Sequence, residues 1–129
     1  MIMERYKGMF NSVTSVIEEY FDLRRYTISK AYSNSIEISG KRLNTRIYIR
    51  YELNHEGIVV NISSIELDKS TRRKGLLTGL IKVISNVECV NAIKIGGVCT
   101  PEMKSWCEKN KFINNGYADY IYPLNKGVR

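Results

Sequence analysis

A short basic run in the middle of the chain, Arg72-Arg73-Lys74-Gly75-Leu76-Leu77-Thr78, has the residue types of an anion-binding loop. It follows a strand-like segment, Ile58 to Leu67, and it leads into a segment with helical periodicity, Leu76 to Val87. The first N–H groups of a helix have no partner inside the helix, so they can converge on a phosphate. Gly75 allows close approach of the backbone, and the three cations add charge. The run therefore predicts a site for a cofactor that carries a pyrophosphate.

The cations of this run have an alternative interpretation as a solvated surface without function. Positive charge at the start of a helix is unfavourable for the helix dipole. An anion bound between Arg72 and Lys74 would remove that conflict, and this favours the binding interpretation.

Length and composition indicate one domain, 1–129. The chain has 129 residues, of which 43% are hydrophobic and 26% charged, as in globular proteins that bury a single core. The apolar runs are too short for a membrane span, and the N-terminus lacks the pattern of a signal peptide. Three cysteines without CxxC spacing and a single histidine predict no metal site. Free thiols are typical of a reducing compartment, so we expect a cytoplasmic location.

The net charge of +7 predicts attraction to anions such as nucleic acid, anionic lipid or a polyphosphate cofactor. The same charge can serve solubility alone. Because the basic residues are spread along the sequence, a dedicated nucleic-acid arm is not expected.

Hydrophobic periodicity and turn residues predict the element order αβββαβαβ, which is an α/β arrangement with a mixed sheet. Asn54-His55-Glu56-Gly57 reads as a hairpin turn, and Thr100-Pro101-Glu102 as a helix start with Thr as the N-cap. The predicted boundaries are a helix at about 12–24, strands at 35–39, 46–53 and 58–67, a helix at about 73–86, a strand at 92–98, a helix at 100–110 and a strand at 118–124.

The strand before the basic run changes its apolar phase. Positions 58, 60 and 62 share one phase, and positions 65 and 67 share the other. One extra residue shifts a period of two, so the slip at Ser63-Ser64 predicts a β-bulge. The apolar Val59 allows an alternative, in which both faces of this strand are buried. The apolar phase would then say nothing about a bulge.

These segments together resemble the GNAT superfamily of acyl-CoA-dependent N-acyltransferases. The loop of that family is Arg/Gln-x-x-Gly-x-Gly/Ala, and here it is Arg72-x-x-Gly75-x-Leu77, with Leu77 in place of the last small residue. The similarity includes Ile65-Glu66-Leu67 and the segment Cys107-Glu108-Lys109-Asn110-Lys111-Phe112, and it covers about Gly57 to Leu124. It implies a GNAT-like α/β fold, a single domain with a central mixed β-sheet of about six strands flanked by helices, and acetyl-CoA as cofactor.

The resemblance also implies which residues hold coenzyme A. Backbone groups of the bulged strand would bind the pantetheine arm, and main-chain N–H groups at the helix start would bind the pyrophosphate. Thr100 stands where the family often has an Asn that contacts the cofactor arm, and Arg72 would steady the loop or a phosphate. The implied cofactor-binding residues are Ile65, Glu66, Leu67, Arg72, Arg73, Lys74, Gly75, Leu76, Leu77, Thr78 and Thr100.

The implied reaction is direct transfer of an acetyl group from the thioester to a primary amine. Glu66, on the bulged strand, is the candidate base, with a surface carboxylate as the alternative. The family often has a tyrosine as proton donor to the departing thiolate, five residues before a Phe. Here Cys107 takes that place before Phe112, either as the donor or as a buried small residue.

Two other functions stay open at this stage. A catalytically silent GNAT-fold module would bind coenzyme A or a protein partner without transfer, and the cysteine at position 107 favours it. A small basic nucleic-acid-binding protein would use some of the nine tyrosines to stack bases. The acceptor amine and the oligomeric state stay open, with a homodimer as one option.

Overall fold

A computed structural model of the chain describes residues 2–54, 57–69, 75–98, 100–116 and 118–124. These residues form three α-helices and seven β-strands, in the order αββββαβαββ. The elements are α1 (Ile2–Tyr20), β1 (Tyr26–Tyr32), β2 (Ser35–Gly40), β3 (Arg46–Asn54), β4 (Gly57–Glu66), α2 (Leu76–Ser85), β5 (Val90–Ile95), α3 (Pro101–Lys109), β6 (Ile113–Asn114) and β7 (Tyr120–Pro123).

The strands form one mixed sheet with the spatial order β1-β2-β3-β4-β5-β7-β6. Only the central β4–β5 pair is parallel among these neighbours, and α2 connects its two strands. A parallel pair needs such a crossover, whereas β3 and β4 join through a tight hairpin. The α/β class and the mixed sheet predicted from the sequence are therefore confirmed. None of the described helices is long and apolar enough to cross a membrane.

One face of the sheet carries the core. Tyr51, Val60, Ile93 and Tyr122 are register partners in one row across β3, β4, β5 and β7, so their side chains share a face. A second row on this face consists of Ile36, Ile49, Ile62, Ile95 and Tyr120. We call this side the helix face, because all three helices pack on it.

Aromatic contacts fix the helices on the helix face. Phe10 of α1 stacks on Tyr51 at 5.3 Å between ring centroids, and Thr14 Oγ1 shares a buried 2.6 Å hydrogen bond with the Tyr51 hydroxyl. The Tyr20 hydroxyl donates to the Leu76 carbonyl at 2.6 Å, which joins α1 to α2.

The segment after α3 packs on the same face. The Phe112 ring lies 5.3 Å from Tyr122 and 5.6 Å from Trp106. These aromatic contacts bury much apolar surface, and they attach α3 to the sheet beside β7.

The opposite side of the sheet, the polar face, carries a different row. Ser35, Arg50, Asn61, Lys94 and Ile121 are register partners across five strands. Four of the five are polar or charged, so the strands alternate between an apolar and a largely polar face.

Two strands were absent from the sequence prediction. β1 lies at a sheet edge, and its apolar residues Tyr26 and Ile28 are too few to show a period of two before Lys30. β6 has only two residues, both exposed. The first helix begins about ten residues earlier than predicted and ends at Tyr20 rather than at 24.

Candidate active site

The parallel strands β4 and β5 separate at their carboxyl ends. Their register ends at the pair Ile62–Ile95, and the Gly96 N–H donates to the Ile62 carbonyl at 3.0 Å. β4 continues to Glu66, whereas the chain after Gly96 turns away, with the Val98 N–H bonded to the Ala118 carbonyl at 2.9 Å. We call this opening the fork. Within the described part of the chain, Ser63 to Glu66 have no partner strand on the β5 side.

A β-bulge lies where the fork opens. Tyr48 pairs with Ser63 and Arg46 pairs with Glu66, so two residues of β4 stand opposite one residue of β3. Ser64 takes up the extra length in a left-handed conformation, with φ of 50°. A bulge bends its strand and increases the local twist. The bulge predicted at Ser63-Ser64 is therefore confirmed, and it bends β4 at the point where that strand leaves β5.

The end of β4 is held on the side away from β5. The Asp68 N–H donates to Thr45 Oγ1, and Asp68 Oδ1 accepts from the Asn44 N–H, both at 3.1 Å. These bonds tie the segment after β4 to the loop before β3. Ile65 and Leu67 are partly buried and pack against the core. The fork is thus kept open by contacts of the protein itself.

The start of α2 presents main-chain donors. Gly75 is its N-cap in the left-handed region, with φ of 78°, and no side chain caps the helix start among the described residues. The Gly75 carbonyl accepts from the Gly79 N–H at 2.8 Å, so the N–H groups of Leu76, Leu77 and Thr78 belong to the first turn and have no partner within the helix. Leu76 is half-buried, Leu77 is buried and Thr78 is exposed. Residues 70–74, with Arg72, Arg73 and Lys74, lie outside the described residues.

Thr100 caps α3 as the sequence predicts. Its Oγ1 accepts from the Met103 N–H at 3.2 Å, and Pro101 occupies the first helical position. The hydroxyl oxygen is therefore engaged within the protein, while its hydrogen stays available to a ligand.

Glu66 lies on the polar face, opposite Arg46, and is exposed. It lines a shallow polar hollow of about 200 Å³ with the loop between β2 and β3. A larger hollow of about 280 Å³ lies between α2 and α3, lined in part by Thr78, Trp106 and Tyr122.

Cys107 is fully buried on α3. Burial, with a smaller contribution from Glu108, raises the pKa of its thiol to about 11. That makes the thiol a weaker acid than an ordinary tyrosine, whose pKa is near 10. Of the two roles considered for Cys107, the geometry favours the buried small residue.

Replacing Cys107 with Ala separates the two roles. We expect a loss of about 1 kcal/mol in the free energy of unfolding, because a buried atom leaves a small void, and unchanged turnover with any accepted amine. Urea unfolding and kcat measure the two effects. A kcat that falls tenfold or more without loss of stability would instead identify Cys107 as the proton donor.

A polar network on the polar face lies next to the fork, and the sequence analysis did not find it. Glu52 accepts from Arg50 Nη2 at 2.6 Å and from Asn61 Nδ2 at 2.9 Å, and Lys94 Nζ lies 3.5 Å from its carboxylate. Burial alone would raise the pKa of Glu52, but these hydrogen bonds and the charges of Lys94 and Arg50 outweigh it and lower the pKa. The signal in the sequence was a single Asn within the apolar strand Ile58 to Ile62.

No family model matches this sequence, and no curated protein sequence matches it significantly. Solved structures do match its fold. NAA60 of Arabidopsis thaliana, in complex with a bisubstrate analogue, has a TM-score of 0.51 and 11% identity over 73% of this chain and 78% of its own. The N-acetyltransferase YlbP of Bacillus subtilis, in complex with coenzyme A, has a TM-score of 0.50 and 9% identity over 70% and 67%. The AtaT Y144F mutant toxin, bound to the C-terminus of the antitoxin AtaR and acetyl-CoA, has a TM-score of 0.51 and 12% identity over 80% of this chain and 85% of its own.

At this level of identity the matches show the fold. The chain has the α/β fold of the GNAT acyltransferases, with a seven-stranded mixed sheet rather than the six strands expected. The resemblance predicted from the sequence is therefore confirmed at the level of architecture.

Proposed function

We propose that this protein is an acetyl-CoA-dependent N-acetyltransferase that acts on a primary amine. The observation that carries the proposal is the fork, with the bulge at Ser64, and α2 is the helix that follows the bulged strand along the chain. YlbP and the AtaT mutant, which share the fold, were solved with coenzyme A and acetyl-CoA respectively. A cytoplasmic location, expected from the free thiols, is part of the same proposal.

The fit between the chain and coenzyme A rests on backbone groups. Ser63 to Glu66 offer strand N–H and C=O groups on the fork side, and an extended arm with two amides can pair with them as an added strand would. At the start of α2, the N–H groups of Leu76 to Thr78 point where a pyrophosphate can accept them. In this proposal Arg72, Arg73 and Lys74 supply positive charge around the pyrophosphate. The Thr100 hydroxyl donates a hydrogen bond to the pantetheine arm.

Acetyl-CoA, held by these residues, would supply the acyl carbon as a thioester. The amine lone pair would form the C–N bond as the C–S bond breaks, Glu66 would take the amine proton, and the thiolate would gain a proton from solvent. The chain contributes position and polarity. Backbone N–H groups beside the bulge can donate to the carbonyl oxygen where negative charge develops. The walls of the fork hold the reacting atoms at a fixed distance, which removes much of the entropic barrier.

A titration with acetyl-CoA, followed by thermal unfolding, tests the cofactor. A ligand that binds only the folded state adds about 2.7 kcal/mol at a hundredfold excess over its Kd. Release of free coenzyme A in the presence of a panel of primary amines then tests transfer. Binding without turnover would favour the silent module, for which the burial of Cys107 is the supporting observation. Strong binding to DNA with steep salt dependence, without any response to acetyl-CoA, would favour the nucleic-acid-binding alternative.

Glu66 is the proposed base, and Glu66→Gln tests it. We expect kcat to fall by about 100-fold with an unchanged Kd for acetyl-CoA, because the amide keeps the shape but cannot take a proton. Glu37→Gln is the matched control, because Glu37 lies on β2 and belongs to the same polar face of the sheet as Glu66. Equal turnover of the Glu66 and Glu37 variants would assign the base to another group.

The positive charge of the protein limits which acceptor amines it can attract. A net charge of +7 disfavours a strongly cationic acceptor such as a lysine-rich tail. Small amine metabolites and amines on acidic partners suit the surface better, so the panel should contain both kinds.

A further inference from the structure

The hydroxyl of Tyr20 reaches the first turn of α2, which belongs to the proposed pyrophosphate site. Tyr20 is the last residue of α1, and its hydroxyl donates to the Leu76 carbonyl at 2.6 Å. In an α-helix such a carbonyl also accepts from the N–H group four residues further on, and its second lone pair stays available to an outside donor. The bond therefore ties the end of α1 to one particular peptide unit of α2.

Gly79 makes room for this contact. It lies inside α2, where glycine is among the least favourable residues. A Cβ atom added at Gly79 would fall on the Tyr20 hydroxyl, and it would lie 3.0 Å from Cε1 and Cζ of the same ring. The Tyr20 ring thus lies directly against the backbone of α2. The helix has an unfavourable residue at the position where Tyr20 approaches it.

The Tyr20 side chain is held in place and keeps its proton. Its ring meets Phe21 edge to face, with centroids 5.2 Å apart, and Phe21 meets Tyr26 in the same way at 5.0 Å. Burial, with a smaller contribution from Tyr26, raises the pKa of the Tyr20 hydroxyl above its usual value. The hydroxyl is therefore a donor to the Leu76 carbonyl throughout the neutral pH range.

The Leu76 carbonyl shares its peptide unit with the N–H group of Leu77. That N–H belongs to the first turn of α2 and has no partner within the helix. Hydrogen bonds in a chain polarise one another, so a donor at the carbonyl oxygen makes the N–H of the same amide a stronger donor. The Tyr20 hydroxyl thus fixes the direction of the Leu77 N–H and strengthens the bond that this group can form.

We propose that Tyr20 is a positioning residue for coenzyme A, which orients the Leu77 N–H toward the pyrophosphate through the Leu76 carbonyl. This role rests on the proposed function, and it adds a residue of α1 to the cofactor site. The effect of Tyr20 should depend on the pyrophosphate of the ligand, whereas a residue that only stabilises the fold would affect every ligand alike.

Tyr20→Phe removes the hydroxyl and keeps the ring. We expect the Kd for coenzyme A, measured by isothermal titration, to rise about fivefold, which corresponds to about 1 kcal/mol for one hydrogen bond. The Kd for pantetheine, which lacks the pyrophosphate, should stay within about twofold of wild type in an NMR titration. The Leu77 amide proton should move downfield when coenzyme A binds to the wild type, and by less in the variant. Unchanged affinity for coenzyme A, or an equal loss for both ligands, would overturn the role of Tyr20.

Tyr51→Phe is the matched control. The Tyr51 hydroxyl shares a 2.6 Å hydrogen bond with Thr14, so this variant also removes one hydroxyl and one hydrogen bond of α1. Its contacts on α1, Phe10 and Thr14, precede Tyr20 by at least six residues. We expect both variants to lose stability in urea unfolding, and only Tyr20→Phe to lose affinity for coenzyme A. An equal loss of affinity in Tyr51→Phe would assign the effect to a general loosening of α1 and overturn the proposal.

Gly79→Ala disturbs the same contact from the side of α2. The new methyl group displaces the Tyr20 hydroxyl, so the Kd for coenzyme A should again rise about fivefold. Because both substitutions break one hydrogen bond, the double variant with Tyr20→Phe should bind about as well as either single variant. Fully additive losses would show that the two residues act separately, and they would contradict the role given to Tyr20.

The outcomes separate the role of Tyr20 from the proposed function. Failure of the wild type to bind coenzyme A would remove the transferase proposal and the role of Tyr20 with it. Equal and normal binding by the wild type and by Tyr20→Phe would overturn the role of Tyr20 alone.

Discussion

Gly75→Glu is expected to bind coenzyme A about 100-fold more weakly than Gly75→Gln, which should retain much of the wild-type affinity. Gly75 has φ of 78°, and a Cβ at this position meets no atom of the described residues within 4 Å. Both substitutions therefore introduce the same left-handed strain, about 1–2 kcal/mol. The two side chains have nearly the same size. Only the negative charge differs between the variants.

That charge lies at the proposed pyrophosphate site. Two like charges about 6 Å apart repel by roughly 2–3 kcal/mol at an effective dielectric constant near 20, which is about 100-fold in Kd. Isothermal titration with coenzyme A measures the difference between Gly75→Glu and Gly75→Gln. Their melting temperatures should fall together, by about 3–8 °C, since the backbone strain is common to both. Equal affinities in the two variants would remove the start of α2 from the cofactor site.

The features that sequence analysis predicted correctly are those with a local cause. The bulge at Ser63-Ser64 showed itself because a period of two records the face of every residue, so one extra residue changes the phase. The N-cap Thr100 and Pro101 follow from the backbone groups that a helix start leaves unpaired. The left-handed conformation of Gly75 at the start of α2 was not predicted, because the predicted helix began at about residue 73.

The features that were missed depend on sheet register. Asn61 donates to Glu52 across the hairpin, and its register partner Lys94, which pairs with the same carboxylate, is 33 positions further along the chain. Local sequence patterns do not predict contacts between residues that are so far apart in the chain. Burial of Cys107 is also a tertiary property, because it depends on how α3 packs against the sheet.

Deleting Ser64 is expected to abolish coenzyme A binding while leaving the fold intact. In the native register Ser63 lies opposite Tyr48 and Glu66 opposite Arg46, with one residue too many between them on β4. Removal of Ser64 places Ile65 opposite Ile47, so each remaining side chain keeps its face. The strand loses its bend, however, and a straight β4 would run on beside β5 and narrow the fork.

Ser64→Gly is the matched control for the deletion, because it keeps the bulge and relieves the left-handed φ of 50°. We expect it to stabilise the protein by about 0.5–1 kcal/mol without changing the Kd for coenzyme A. The deletion variant should stay cooperative in urea unfolding, since no core residue changes sides, and its Kd should rise at least 100-fold. Wild-type affinity in a folded protein without Ser64 would show that the arm does not depend on the bend in β4, and the fork would then lose its place as the site of transfer.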